Sequence, residues 1–122
     1  MLKLGLDTES LHLWFQNKRI DIFGFIEKAH ELGFDGVMIN ILKDYNLDPE
    51  WGTLMNNDPA HLKRVRDLLE SYHMYAELAT KGITKEHLLK VLDVAEALAA
   101  DIIRTYIPIT LNPLTSRATG GE

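Results

Sequence analysis

Asp7, Glu9 and His12 lie close together near the N-terminus, and an Asp, a Glu and a His are the side chains that serve as general acid, general base or metal ligand. The same three residues also fit a capped surface turn, because Asp and Glu satisfy turn backbone as readily as they move protons. Farther along, Asn40, Glu77, Arg104 and Tyr106 supply an amide, a carboxylate, a guanidinium and a phenol. Together with Asp7 these groups can orient a small polyhydroxylated or anionic molecule, or Glu77 and Arg104 can form an ion pair that only fills space. Trp14, Phe15, Tyr45 and Trp51 offer apolar surface of the kind that lies against a sugar face or pins long loops down. His30, His61, His73 and His87 read as surface or helix-edge residues, since none is paired at i, i+4 and no zinc spacing occurs. There is no glycine-rich phosphate loop, no GxSxG and no kinase signature.

The elements that must position these groups follow from periodicity. Leu2, Leu4 and Leu6 alternate with Lys3, Gly5 and Asp7, the period-two pattern of a strand with one face against an apolar layer. After a polar and aromatic connection over residues 8–19, Asp21 caps a helix carrying Ile22, Phe23, Ile26 and Ala29 that stops at Gly33. Residues 36–41 form a second strand, followed by a long loop over 42–57 that belongs at the strand's C-terminal end. Asp58 and Pro59 cap a helix with Leu62, Val65, Leu69 and Tyr72 on one stripe. Residues 74–80 give a third strand, Thr84 caps a helix with Leu88, Val91, Leu92, Ala95 and Leu98 on one face, and residues 102–109 give a fourth strand.

Laying the three helix-to-strand junctions over one another, ELGFDGVMIN from Glu31, ESYHMYAELA from Glu70 and ALAADIIRTY from Ala97, aligns Met38 with Glu77 and Arg104, and Asn40 with Ala79 and Tyr106. One face of each strand is then apolar (Val37, Ile39; Ala76, Leu78; Ile103, Thr105, Ile107), while the other is mixed and partly charged. Charges on one strand face fit a barrel lumen better than an open sheet buried on both sides. The expected fold is therefore α/β, with parallel βα units forming the first half, (βα)4, of a (β/α)8 TIM barrel. Residues 1–111 would be that half-barrel, with four strands and three helices, and 112–122 a loop or flexible tail. In such a barrel the chemistry sits at the C-terminal mouth of the strands. By alternation that places Asp7, Asn40, Glu77, Arg104 and Tyr106 in the lumen near the mouth, Lys3 and Met38 deeper, and His12 and Trp14 in the loop after the first strand.

The segments LKLGLDT, AHELGFDGVMIN, LLESYHMYAELAT and ALAADIIRTYIPI, in that order, resemble the N-terminal half of the xylose-isomerase-like barrel superfamily, which unites sugar-phosphate isomerases and epimerases with the family-two apurinic endonucleases. The resemblance covers residues 2 to about 110, and ELGFDGV is its most specific piece. It implies a parent enzyme that isomerises or epimerises a small sugar or sugar-like substrate with a divalent metal (Mn, Mg or Zn), held by strands five to eight and not by this chain. Where that family often carries a glutamate directly after GFDGV, this sequence has Met38, so one polar contact of a standard site is missing and Asn40 is the nearest substitute.

Bulk composition bounds the alternatives. A chain of 122 residues is about half of the ~250 a closed barrel needs, so the expected partners are a missing C-terminal half or further copies of the chain. A net charge of −5 with scattered Lys and Arg weighs against nucleic acid, and with it against phosphodiester cleavage of DNA. A non-catalytic half-barrel that self-associates is the other class of function. The absence of cysteine suits a reducing compartment, and no apolar run is long enough for a signal peptide or membrane span, so a cytoplasmic setting is expected.

Overall fold

The computed structural model describes residues 2–41 and 58–107. The expectations placed on the 42–57 loop, on Tyr45 and Trp51, and on the tail lie outside the described residues. Four parallel strands, β1 (Gly5–Asp7), β2 (Gly36–Asn40), β3 (Tyr75–Ala79) and β4 (Ile102–Arg104), form one sheet in the order β1-β2-β3-β4. Between them run α1 (His12–Gln16), α2 (Ile22–Glu31), α3 (Pro59–Ser71) and α4 (Lys85–Leu98). The connection over residues 8–19 is thus more ordered than its composition implies: a 3-10 turn, Thr8–Leu11, leads straight into α1.

The three long helices start where their caps predict. Asp21 accepts from the Gly24 N–H at 2.7 Å, Asp58 from His61 at 3.2 Å and Thr84 from His87 at 3.3 Å, each meeting one of the N–H groups a helix start leaves open. Their far ends turn through left-handed residues, Gly33, His73 and Ala99. Between helices and sheet lies the core: Phe25, Ile26, Val37, Ile39, Val65 and Leu78 are essentially inaccessible to water. Val37 and Ile39 on β2, and Ala76 and Leu78 on β3, are the strand residues under the helices, as alternation requires.

Two apolar stripes differ from expectation. Leu2 and Leu4 precede the first strand, which begins only at Gly5, and both are exposed; Leu6 alone reaches the core cluster. On α4 the buried face is Val91, Val94, Ala95 and Leu98, whereas Leu92 is 52% exposed because that flank has no neighbouring helix among the described residues. β4 is also shorter than expected, ending at Arg104, with residues 105–107 outside regular structure.

Sequential strand order with α2, α3 and α4 packed successively along one side is a singly wound arrangement. A doubly wound sheet reverses strand order and covers both faces. The face turned away from α2, α3 and α4 is curled. β1 and β4 are three strand spacings apart, about 14 Å in a flat sheet. Asp7 on β1 and Arg104 on β4 nevertheless line one recess, with Arg104 Nη2 3.9 Å from Asp7 Oδ2, so the face that bears them is concave.

Candidate functional site

Register sets the concave face out in rows. Asp7, Met38, Glu77 and Ile102 share one row, and Asn40, Ala79 and Arg104 share the next, nearer the C-terminal ends of the strands. Arg104 therefore stands one pleat beyond Glu77, where the junction alignment had set them level. The cause is the link from each helix. From the left-handed residue to the common row the chain takes five residues in the first junction (Gly33 to Met38), four in the second (His73 to Glu77) and three in the third (Ala99 to Ile102). Arg104 accordingly pairs with Asp7, across the concavity, and not with Glu77.

Asp7 is the best-anchored polar group. Its Oδ1 accepts from the Glu9 N–H at 2.8 Å, capping the 3-10 turn, and from the Asn40 side-chain amide. Buried Thr8 fixes the other side of that amide: its hydroxyl oxygen accepts from both the backbone N–H and Nδ2 of Asn40, each at 3.0 Å. Asp7, Thr8 and Asn40 thus lock the ends of β1 and β2 together. The Arg104 side chain is 58% exposed, and at that exposure its ion pair with Asp7 contributes only about 0–1 kcal/mol, leaving most guanidinium N–H groups open to a ligand. The Glu77 carboxylate makes no hydrogen bond or ion pair among the described residues.

Below this row lies a feature that chemistry-bearing residue types do not disclose. Gly5, Gly36 and Tyr75 are register partners, and the Tyr75 ring lies down across the backbone of the two glycines. A Cβ on Gly5 would stand 2.6 Å from the Tyr75 hydroxyl, and one on Gly36 would collide with the ring itself. Burial, the Glu77 carboxylate and Asp35 push the Tyr75 phenol above its ordinary value of 10.0, so it stays a hydrogen-bond donor. The signal for this was present: glycine inside a strand marks a close approach of something else, and the junction alignment set Gly36 opposite Tyr75.

A recess of about 220 Å³ on the concave face is lined by Asp7, Met38, Tyr75, Glu77 and Arg104 over Gly5 and Val37. A second, of about 290 Å³, opens toward the N-terminal ends of the strands between Lys3, Tyr75, Glu77 and Asp101. Asn40 supports the first recess through Asp7. The structure does not bring His12, Trp14 or Tyr106 to its wall. His12 Nδ1 lies 3.1 Å from the Glu9 carbonyl and 3.8 Å from its carboxylate, while Trp14 and Tyr106 stand about half exposed. Among the histidines, His61 is buried beside Phe23 and not at the surface. His87 Nε2 meets buried Thr80 Oγ1 at 2.7 Å, and that hydroxyl also reaches the Ile41 carbonyl at 3.0 Å.

Among the described residues no three His, Cys, Asp or Glu side chains converge. Among the described residues the donor set does not fit a catalytic divalent ion, because Asp7 is already committed to Asn40, Glu9 and Arg104 and no imidazole joins Asp7 and Glu77 at the recess. No helix among them is long and apolar enough to cross a membrane. No protein-family model matches the chain, and a search of curated proteins returns no significant match.

Proposed function

We propose that this chain is the first half of a xylose-isomerase-like (β/α)8 barrel, and that the concave recess is the part of a sugar-binding site contributed by strands one to four. The observation that carries the reading is the recess that Asp7 on β1 and Arg104 on β4 share across the sheet: a polar concave strand face of this kind is what a barrel lumen requires, at the end where barrel enzymes hold substrate. Singly wound topology and the order of the four βα units support the same reading.

In this scheme Glu77 and Arg104 hold substrate hydroxyls, Asp7 orients Arg104, and Asn40 with Thr8 orients Asp7. Proton transfer between adjacent carbons and any metal that assists it belong to the strands completing the barrel. The outer edges of β1 and β4, unpaired among the described residues and flanked by exposed Leu2, Leu4, Leu92 and Ile102, favour pairing with those strands or with a second copy of the chain.

The test is an NMR titration of the purified chain with D-xylose and D-fructose. Shifts should centre on Asp7, Glu77 and Arg104, and Glu77→Gln or Arg104→Gln should weaken binding about five- to tenfold, the loss of one charge-assisted hydrogen bond. Shifts confined to other parts of the surface, or affinities that neither substitution alters, would overturn the reading. Aldose–ketose interconversion by the chain alone should stay at background.

A further inference from the structure

We infer that Tyr75 is the floor of a subsite for a neutral cyclic polyol, whose ring face lies on the phenol ring while its rim hydroxyls reach Glu77 and Arg104. The inference rests on the sugar-site reading above and narrows its ligand.

Three observations converge on it. The Tyr75 ring is laid flat by the absence of side chains beneath it: Gly5 and Gly36, its register partners, leave the backbone of two strands as a bed, so the ring presents one broad face to the lumen. Tyr75 borders both recesses, and each is smaller than the roughly 300–1,000 Å³ of drug-sized pockets, which is the scale of a single small ring. The polar groups stand at the rim and not over the ring. Glu77 follows Tyr75 by two residues on the same strand face with its carboxylate unpartnered among the described residues, and Arg104 is held near only through a loose contact to Asp7.

The chemistry of that arrangement is selective in two ways. An aromatic face carries partial negative charge and attracts the weakly positive C–H groups that line one face of a cyclic polyol; an open-chain polyol presents no such face without being ordered first, at an entropic cost. Charge selects as well. The recess sets two carboxylates, Asp7 and Glu77, against one guanidinium, so a phosphorylated ligand would bring its dianion into a site already negative. A neutral ring is the ligand that uses the aromatic face and the hydrogen bonds without that repulsion.

The probes are myo-inositol, glucitol and inositol monophosphate, titrated into the purified 122-residue chain by saturation-transfer NMR. Myo-inositol should bind most tightly, with its ring protons shifted upfield and showing transfer from the Tyr75 ring. Tyr75→Leu should weaken it about fivefold, the scale of one aromatic contact, and abolish the upfield shift; Tyr75→Phe should keep both. Glucitol should bind more weakly and be indifferent to Tyr75→Leu. If myo-inositol and glucitol bind equally, and Tyr75→Leu changes neither in a variant whose circular dichroism is native, the subsite is wrong while the sugar site stands. Should none of these polyols, nor the two sugars above, perturb the concave face, both readings fail. Tighter binding of the monophosphate would refute the charge argument, and with it the neutral ligand.

Discussion

Val37, Ile39, Ala76 and Leu78 are sealed beneath α2, α3 and α4, whereas one residue along the same strands Met38 and Glu77 stand only half-buried, and Arg104 on β4 is exposed. The covered face is held mainly by volume: apolar side chains interlock, and a buried hydroxyl such as that of Thr80 finds its partners at the strand ends. The concave face is held by specific hydrogen bonds at its mouth, Thr8 and Asp7 to Asn40, and by one ring lying in a glycine bed. Most of the buried apolar volume therefore lies on one side of the sheet and most of the accessible polar groups on the other.

The comparison breaks or holds most visibly at Phe25. Its ring is fully buried against Phe15, with centroids 5.7 Å apart. Phe25→Ala should lower the unfolding free energy by about 3–5 kcal/mol. Arg104→Gln, on the other face, should change it by less than about 1 kcal/mol. Urea denaturation of the two variants side by side is the measurement, and equal losses would mean that the concave face carries structural weight after all.

Periodicity disclosed the strand part of the covered face, because burial on one side of a strand leaves a repeat: Val37, Ile39, Ala76 and Leu78 follow from alternation alone, and the caps Asp21, Asp58 and Thr84 from residue type, whereas buried Phe25 and Val94 stand outside the expected helix stripes. The site was legible only in outline. Asp7, Asn40, Glu77 and Arg104 share the concave face as alternation requires, but the level of Arg104 depends on link length, and links that shorten from five residues to three leave no mark in an ungapped alignment. Tyr75 passed as an ordinary strand residue, since its role is set by Gly5 and Gly36 on other strands. Leu2, Leu4 and Leu92 obey the apolar pattern yet are exposed, because a pattern records which face is meant to be covered and not whether the cover is among the described residues.

Smaller effects are expected at the strand ends, where the two regions meet. Thr80 is buried, and its hydroxyl serves both the Ile41 carbonyl and His87. Thr80→Val preserves shape but strands a carbonyl away from water, so a loss of about 1–2 kcal/mol is expected. Thr105→Val removes a half-buried hydroxyl that bonds the Gly82 carbonyl at 2.7 Å, and water can replace it more easily; its loss should be less than that of Thr80→Val. Thermal or urea unfolding ranks the pair, and a reversed order would show that the mouth, not the layer beneath β2 and β3, is the drier place.

The smallest effect falls on Tyr75 and depends on pH. Burial first, then the Glu77 and Asp35 carboxylates, hold the folded phenol above the ordinary 10.0. In the unfolded chain the phenol releases its proton near pH 10, while the folded one retains it. The stabilisation linked to this difference is fully present below about pH 10 and declines as pH rises from there through the folded value, because over that range the native state binds more protons than the unfolded state. Tyr75→Phe keeps the ring on its glycine bed but has no proton to lose. Every other tyrosine and lysine is common to the two proteins, so the difference between them isolates this one group. We expect the urea midpoint of the parent to fall more steeply than that of Tyr75→Phe between about pH 9 and pH 11. Parallel curves would mean that the phenol is as free in the fold as in the unfolded chain, and that the ring does not lie down beside Glu77.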